Sequence, residues 1–261
     1  MIYITGDIHG DPRRLSNKNF PQAQNMTKDD YVIILGDFGV IWTEQFLSQE
    51  KYWLDWLDER PFTTLFIDGN HEGYERLNSF PVETWNGGLV HKVRPSVIHL
   101  MRGQVFNIEG KTFFTFGGAQ SHDISGGILD RSDPDFKIKK KRLDKDPYAS
   151  YRILNESWWK EELPSKEEIE IGRNTIKNIK HVDYVLTHTL PYSIHKKLDM
   201  TEKPNDLSIF LDEVNETLDF NKWFCGHLHI NRWLNDKFKI FYEDLDYLPN
   251  LERNKDIDEE R

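Results

Sequence analysis

One cysteine, Cys225, occurs in 261 residues, so no disulfide can form within the chain, and a lone thiol in "KWFCG" reads as a small core residue. Long apolar runs are missing too. None approaches the ~18 residues of a membrane helix, which argues against a spanning segment. The opening "MIYITGD" lacks the basic segment, apolar stretch and small-residue cleavage site of a secretory signal, so the expected location is the cytoplasm. Excess positive charge is also absent. At a net charge of −10 the chain lacks the broad electrostatic affinity of nucleic-acid binders, and no strong sequence signal for nucleic-acid binding emerges. A nuclease stays open, because divalent ions held by carboxylates reverse the local field. No internal repeat is found, and nothing in the sequence speaks to oligomeric state.

What is present is the punctuation of an α/β protein. "IYIT", "YVIIL", "TTLFID", "DYVLT" and "KWFCG" are short apolar runs that each stop at a polar or glycine-containing loop. Apolar residues at helical spacing predict helices over Glu44 to Glu59 and Asp206 to Leu218. A third should start at Ser165, with Glu168 as its capping-box partner. "VIHL", "QVFNI" and "TFFTF" leave no room for helices and read as antiparallel strands joined by tight turns. The mixture implies two sheets with helices outside. We expect one domain over residues 1–250 and a frayed acidic tail over 251–261.

From Gly117 to Leu163 the periodicity fails, and turn residues and charge dominate, which reads as a long irregular insertion. Its basic run Lys137 to Arg142 is expected to be solvated surface. Trp158 and Trp159 would staple the insertion to the core, with stacking on a base as the other use of an indole.

Each strand run is followed by a residue that can hold a metal: "GDIHG", "GDFG", "GNHE", "THTLP" and "CGHLH". Residues far apart in sequence can meet where the carboxyl ends of such strands converge. The pooled set is Asp7, His9, Asp37, Asn70, His71, His188, His227 and His229. Oxygen and imidazole donors without thiolate suit Mn, Fe, Zn or Ni better than calcium or a structural zinc. So many ligands are too many for one such ion and suit two, a pair that can stabilise attacking and leaving oxygens in phosphoryl transfer.

These five blocks, in this order from Gly6 to His229, resemble the calcineurin-like metallophosphoesterases. The resemblance implies a four-layer αββα sandwich of two mixed β-sheets flanked by helices, with a dinuclear site at one sheet edge. It implies that Asp7, His9 and His229 bind one divalent ion, Asn70, His188 and His227 the other, and that Asp37 bridges both, Mn being the favoured metal. His71 would be the catalytic residue, assisting the leaving oxygen. The implied activity is hydrolysis of a phosphomonoester or phosphodiester, nucleotide-type substrates included, by a hydroxide activated between the ions.

Two other readings follow from departures and nulls. A serine/threonine protein phosphatase or dinucleoside polyphosphate hydrolase would continue the second block into Asp-Arg-Gly, whereas this chain reads "GDFGVIW" and lacks that arginine. A catalytically silent metal-binding scaffold would be expected to have lost ligands, and the set is intact. Arg13, Arg14, Arg131 and Arg152 are candidates to grip a substrate phosphate, and His122 and Asp123 to border the site. His91, His99, His181 and His195 have no ligand partner at motif spacing and are assigned to core or surface.

Overall fold

The computed structural model describes residues 1–42, 47–198 and 203–252. The chain opens with β1 (Ile2–Thr5), β2 (Tyr31–Leu35), α1 (Ser48–Asp58), β3 (Thr63–Ile67), α2 (Tyr74–Leu77), β4 (Val82–Trp85), β5 (Gly88–Arg94) and β6 (Val97–Leu100). It then crosses to a second layer with β7 (Gln104–Ile108) and β8 (Lys111–Phe116). The insertion carries β9 (Ile128–Leu129), α3 (Phe136–Leu143) and β10 (Arg152–Ile153). After it come α4 (Lys166–Asn178), β11 (His181–Thr187), α5 (Tyr192–Lys197), α6 (Asp206–Thr217), β12 (Asp219–Cys225), β13 (Arg232–Trp233), β14 (Phe238–Ile240), β15 (Leu245–Tyr247) and α7 (Leu248–Glu252).

Two mixed sheets result. The first runs β15-β1-β2-β3-β6-β5-β4, with β1, β2, β3 and β6 parallel; the second runs β13-β14-β12-β11-β8-β7, with β8, β11, β12 and β14 parallel. Strands buried on both faces need apolar residues at every position, which is why "YVIIL" and "TTLFI" do not alternate with polar residues. Ile33, Leu35, Leu65 and Ile67 point between the sheets, against Phe106, Phe113, Tyr184 and Phe224 of the second sheet. Val32, Ile34 and Phe66 point outward, beneath Leu54 and Leu57 of α1. On the far side Phe114, Val185 and Trp223 are covered by Ile169 of α4 and by Phe210 and Val214 of α6, and Cys225 sits in this same core. The layers are therefore helix, sheet, sheet, helix, as expected. Each such buried side chain contributes about 1.5–3 kcal/mol.

Local signals account for most elements. Ser165 Oγ accepts from Glu168 N at 3.1 Å while Ser165 N donates to Glu168 Oε2 at 2.8 Å, the capping box that starts α4. Glu109 and Gly110 (φ 50° and 77°) turn the β7–β8 hairpin, and Asn86 and Gly87 (φ 47° and 97°) turn β4–β5, both with the left-handed pairs that such hairpins require.

Three expectations need correction. "VIHL" and "QVFNI" are not hairpin partners: β6 pairs parallel to β3 in the first sheet, and β7 belongs to the second, with residues 101–103 making the crossing. The insertion is not structureless, since β9 and β10 pair and Leu129, Phe136 and Leu143 form a small core of their own. Lys137 to Arg142 lie in α3, and all but half-buried Lys140 are exposed. The first helix begins at Ser48; of the expected Glu44 start, residues 44–46 lie outside the described residues. Of the tail, Leu251 and Glu252 close α7, and residues 253–261 lie outside the described residues.

Candidate metal centre

The carboxyl ends of β1, β2 and β3 in one sheet and of β11 and β12 in the other converge. Asp7 follows β1 and is fully buried, and its carboxylate accepts from His227 N at 3.1 and 3.2 Å. Asp37 follows β2, is 1% exposed, and Oδ1 accepts from His71 N at 2.8 Å. The ligand atoms of Asp7, His9, Asp37 and His229 lie within 4.8 Å of one another, as do those of Asp37, His188 and His227. Asp37 is common to both groups.

Backbone geometry makes this crowding possible. His9, Asp37, His227 and His229 are four of the seven non-glycine residues with positive φ among the described residues, a left-handed conformation that costs energy and concentrates where side chains must be aimed. A Cβ on Gly69 would stand 2.2 Å from Asp37 Oδ1, and one on Gly226 2.2 Å from Asp7 Oδ1. Only glycine fits where two strand ends approach these carboxylates.

The donor set fits divalent cations. His188 is fully buried, and its Nδ1 lies 2.7 Å from the Leu35 carbonyl, which can only accept, so Nδ1 carries the hydrogen. Its Nε2 faces Asp37 Oδ1 at 3.2 Å without hydrogen-bond geometry. With the Asp37 carboxylate on one side and an imidazole nitrogen on the other, this gap favours a positive charge, a proton or a metal ion. Asn70 Oδ1 is likewise buried without a hydrogen-bond partner among the described residues, while Nδ2 lies 3.4 Å from Ser121 Oγ. On the open side His9 Nε2 meets His229 Nε2 at 3.0 Å, and His229 Nε2 lies 3.2 Å from Asp7 Oδ2.

Electrostatics point the same way. Burial pushes the Asp37 carboxyl up, but His188, His71 and His9 together outweigh it and hold Asp37 well below the usual carboxylate range. Burial would lower His188, yet Asp37 and Asp7 raise it. Burial, reinforced by His188, drives His227 far down, so it is a neutral imidazole suited to ligation.

His71 stands beside this set, its ring 4.9 Å from that of His9 and stacked on Trp42 at 5.6 Å. Burial lowers its pKa against the pull of Asp37. Arg152 Nη2 lies 3.2 Å from His71 Nε2, and a guanidinium only donates, so Nε2 accepts. Among the other candidates, His122 lies near the site, its ring 4.5 Å from that of His227, and Asp123 holds Arg152. Arg13 is exposed and bound to Asp11 at 2.8 and 2.9 Å; Arg14 donates to Thr5 Oγ1 at 3.0 Å and to the Tyr242 carbonyl. Both line a basin of about 850 Å³ beside Asp7 and His9. Arg131 is bound to Glu156 and lies over Phe136, both within the insertion. A second cavity of about 350 Å³ also borders His9, lined by Val40, Trp42, Trp53 and His71.

Sequence reasoning overlooked the residues that hold the loops. Glu72 accepts from Phe38 N at 2.8 Å and Gly39 N at 3.2 Å, tying the third block to the second. Burial, then Asp37, pushes its carboxyl well up. Asp68 accepts from Arg102 Nε at 2.9 Å and Tyr74 Oη at 2.9 Å, and by holding the Arg102 guanidinium it anchors the crossing between sheets. An acid in a block next to a ligand was the available signal for both. Of the remaining histidines, His91, His99 and His195 are buried and His181 is exposed, hydrogen-bonded to Asp219 at 2.9 Å. Trp159 is buried edge-on to Trp42 at 5.3 Å, the packing role expected of it.

Comparison with known proteins agrees with this geometry. Residues 1–231 match the model of the calcineurin-like phosphoesterase family. The chain is 27% identical to the lariat debranching enzyme of Schizosaccharomyces pombe over 186 residues, 66% of this chain and 34% of that protein. It is 22% identical to the Gallus gallus lariat debranching enzyme over 257 residues, 88% of this chain and 42% of the relative. The chain thus spans less than half the length of these relatives. With a family model covering most of its residues and the five motif blocks folded into one dense cluster, the chain belongs to the calcineurin-like phosphoesterase family.

Proposed function

We propose that this chain is a metal-dependent phosphoesterase with a dinuclear centre, formed by a single domain over residues 1–250. The observation that carries the reading is the pair of carboxylate–imidazole clusters sharing Asp37. Asp7, His9 and His229 would hold one divalent ion, Asn70, His188 and His227 the other, and Asp37 both. Mn is our choice, with Fe, Zn and Ni compatible with the same donors. When bound, such ions neutralise phosphate charge and lower the pKa of water.

The protein's own residues do the rest. The Leu35 carbonyl fixes the His188 tautomer, and the His71 and His227 backbone N–H groups orient the two carboxylates, so the ligand set is rigid before anything binds. His71 is placed to move a proton at the leaving oxygen: a phosphoryl oxygen arriving beside Arg152 would accept the Nη2–H hydrogen bond in place of His71, leaving Nε2 free to take a proton from water and donate it to the leaving oxygen.

Two separate cavities that both border His9 suit an ester with two substituents on phosphorus, and the indoles of Trp42 and Trp53 suit a nucleotide base. The lariat of the relatives' name is not carried over, because the match covers less than half of those proteins and the chain carries a charge of −10; a small phosphorylated or nucleotide substrate is the better fit. The cytoplasm is the proposed location, and no helix among the described residues is long and apolar enough to cross a membrane.

The deciding experiment is a Mn-loaded preparation assayed on p-nitrophenyl phosphate, its bis ester, cyclic nucleotides, dinucleoside tetraphosphate and a phosphopeptide. Hydrolysis of the bis ester or a nucleotide is the expected result. Turnover of the phosphopeptide or the tetraphosphate alone would move the protein to the phosphatase branch. Silence on all, with metal bound, would leave a scaffold.

A further inference from the structure

The insertion reaches the site at three points: Ser121 near Asn70, His122 near His227, and Arg152 at His71. Of these contacts, only the third delivers a permanent positive charge, a guanidinium only 15% exposed. Its place is built. β10 pairs with β9 at Arg152 and Ile128, Arg152 Nη1 reaches the Ser157 carbonyl at 3.3 Å, and Trp159 locks the segment against Trp42, which in turn stacks on His71.

The arginine does not come alone. Asp123 Oδ1 accepts from Arg152 Nε at 3.0 Å and Oδ2 meets Nη2, while the Asp123 side chain stays 48% exposed. The carboxylate is close enough for its field to bear on His71. A ligand next to His71 thus meets the Nη2 amino group of a guanidinium whose fork is held by Asp123 and, behind it, that negative charge. A phosphodiester carries one negative charge at neutral pH, and a monoester nearly two, since its second pKa is about 6.

We propose that the Asp123–Arg152 pair sorts esters by charge: Arg152 donates to a phosphoryl oxygen beside His71, and Asp123 disfavours the second charge of a monoester, making the site selective for diesters. This rests on the phosphoesterase reading above and adds the substrate class to it. Arg152 is then a catalytic residue supplied by the insertion, at a site whose second block offers no arginine. A charge a few ångströms from a partly exposed neighbour changes such a preference by on the order of tenfold.

The test uses the full chain loaded with Mn, as wild type, Asp123→Asn, Arg152→Ala and Arg152→Lys. Asparagine keeps an oxygen for Arg152 and removes only the charge. The kcat/KM ratio of p-nitrophenyl phosphate over its bis ester should rise about tenfold in Asp123→Asn. Calorimetric Kd for inorganic phosphate should tighten by a similar factor, while that for dimethyl phosphate stays within about twofold. Arg152→Ala should weaken both ligands about tenfold or more at unchanged metal content, and Arg152→Lys, with the charge but not the fork, should recover part of the loss. An unchanged ratio and unchanged phosphate Kd in Asp123→Asn would overturn the proposal, as would wild-type binding in Arg152→Ala. If the wild type hydrolyses neither ester, the phosphoesterase reading fails, and the two titrations still decide the charge selection.

Discussion

A carboxylate shared by two cations, as proposed for Asp37, has no neutral substitute, so single residues at this site should have separable effects. Asp37→Asn preserves shape and removes the charge; we expect metal and activity to disappear together, read by elemental analysis beside turnover. His71→Ala should retain metal and lose turnover by ~10²–10⁴, the range of a general acid. Gly226→Ala tests the geometry from another side: its Cβ would stand 2.2 Å from Asp7 Oδ1, so metal content should fall although no ligand has changed. Retention of full metal content would show that the strand end can yield. The proposed ligands were legible as candidates because each follows an apolar run and, His188 excepted, a glycine within a few residues of sequence. Arg152 was legible only as one of four arginines, since its contact with His71 spans 81 residues and depends on how the insertion folds back.

Elements with a local cause were read well, and elements with a tertiary cause were not. The capping box at Ser165 is written in four residues, and α4 begins there. Ser165→Ala should cost about 1 kcal/mol in denaturant unfolding and leave catalysis alone, because the helix end lies outside the ligand set. A larger loss would mean that the cap also holds Arg102, whose Nη1 lies 3.3 Å from the Glu168 carboxylate. The division of β6 and β7 between two sheets has no local signature: both are short apolar runs, and only the packing of Ile98 and Phe106 from opposite sides of one core separates them. The insertion escaped periodicity because its helix and strands are too short to show one, and its core is three side chains deep.

At the scale of the whole molecule, a buried polar chain ties the first sheet together and sets how stability responds to acid. His91 Nδ1 meets His99 Nδ1 at 3.0 Å, and His99 Nε2 lies 3.2 Å from Asp68 Oδ1. Burial, with His99 adding to it, lowers His91 to about 4. A base whose folded pKa lies below its unfolded value near 6.5 is neutral in the fold, so between pH 6.5 and 4 the unfolded chain takes up a proton that the folded one refuses. Stability should therefore decline as pH falls through that window, by up to about 3 kcal/mol from this residue. His91→Gln should flatten the decline between pH 7.5 and 4.5 in denaturant titrations relative to wild type, whatever its offset at neutral pH. Parallel curves for the two proteins would remove His91 from the account.

The ligand set is also divided in time. Asp7, His9, Asp37 and Asn70 come from the first sheet, and His188, His227 and His229 follow β11 and β12 of the second, more than a hundred residues later. A nascent chain that has just completed the first sheet carries both buried carboxylates but only one of the four imidazole ligands. If these residues hold the ions as proposed, metal capture waits for the second sheet, and a chain truncated before β11 should bind no metal pair, a dependence that follows from strand order alone.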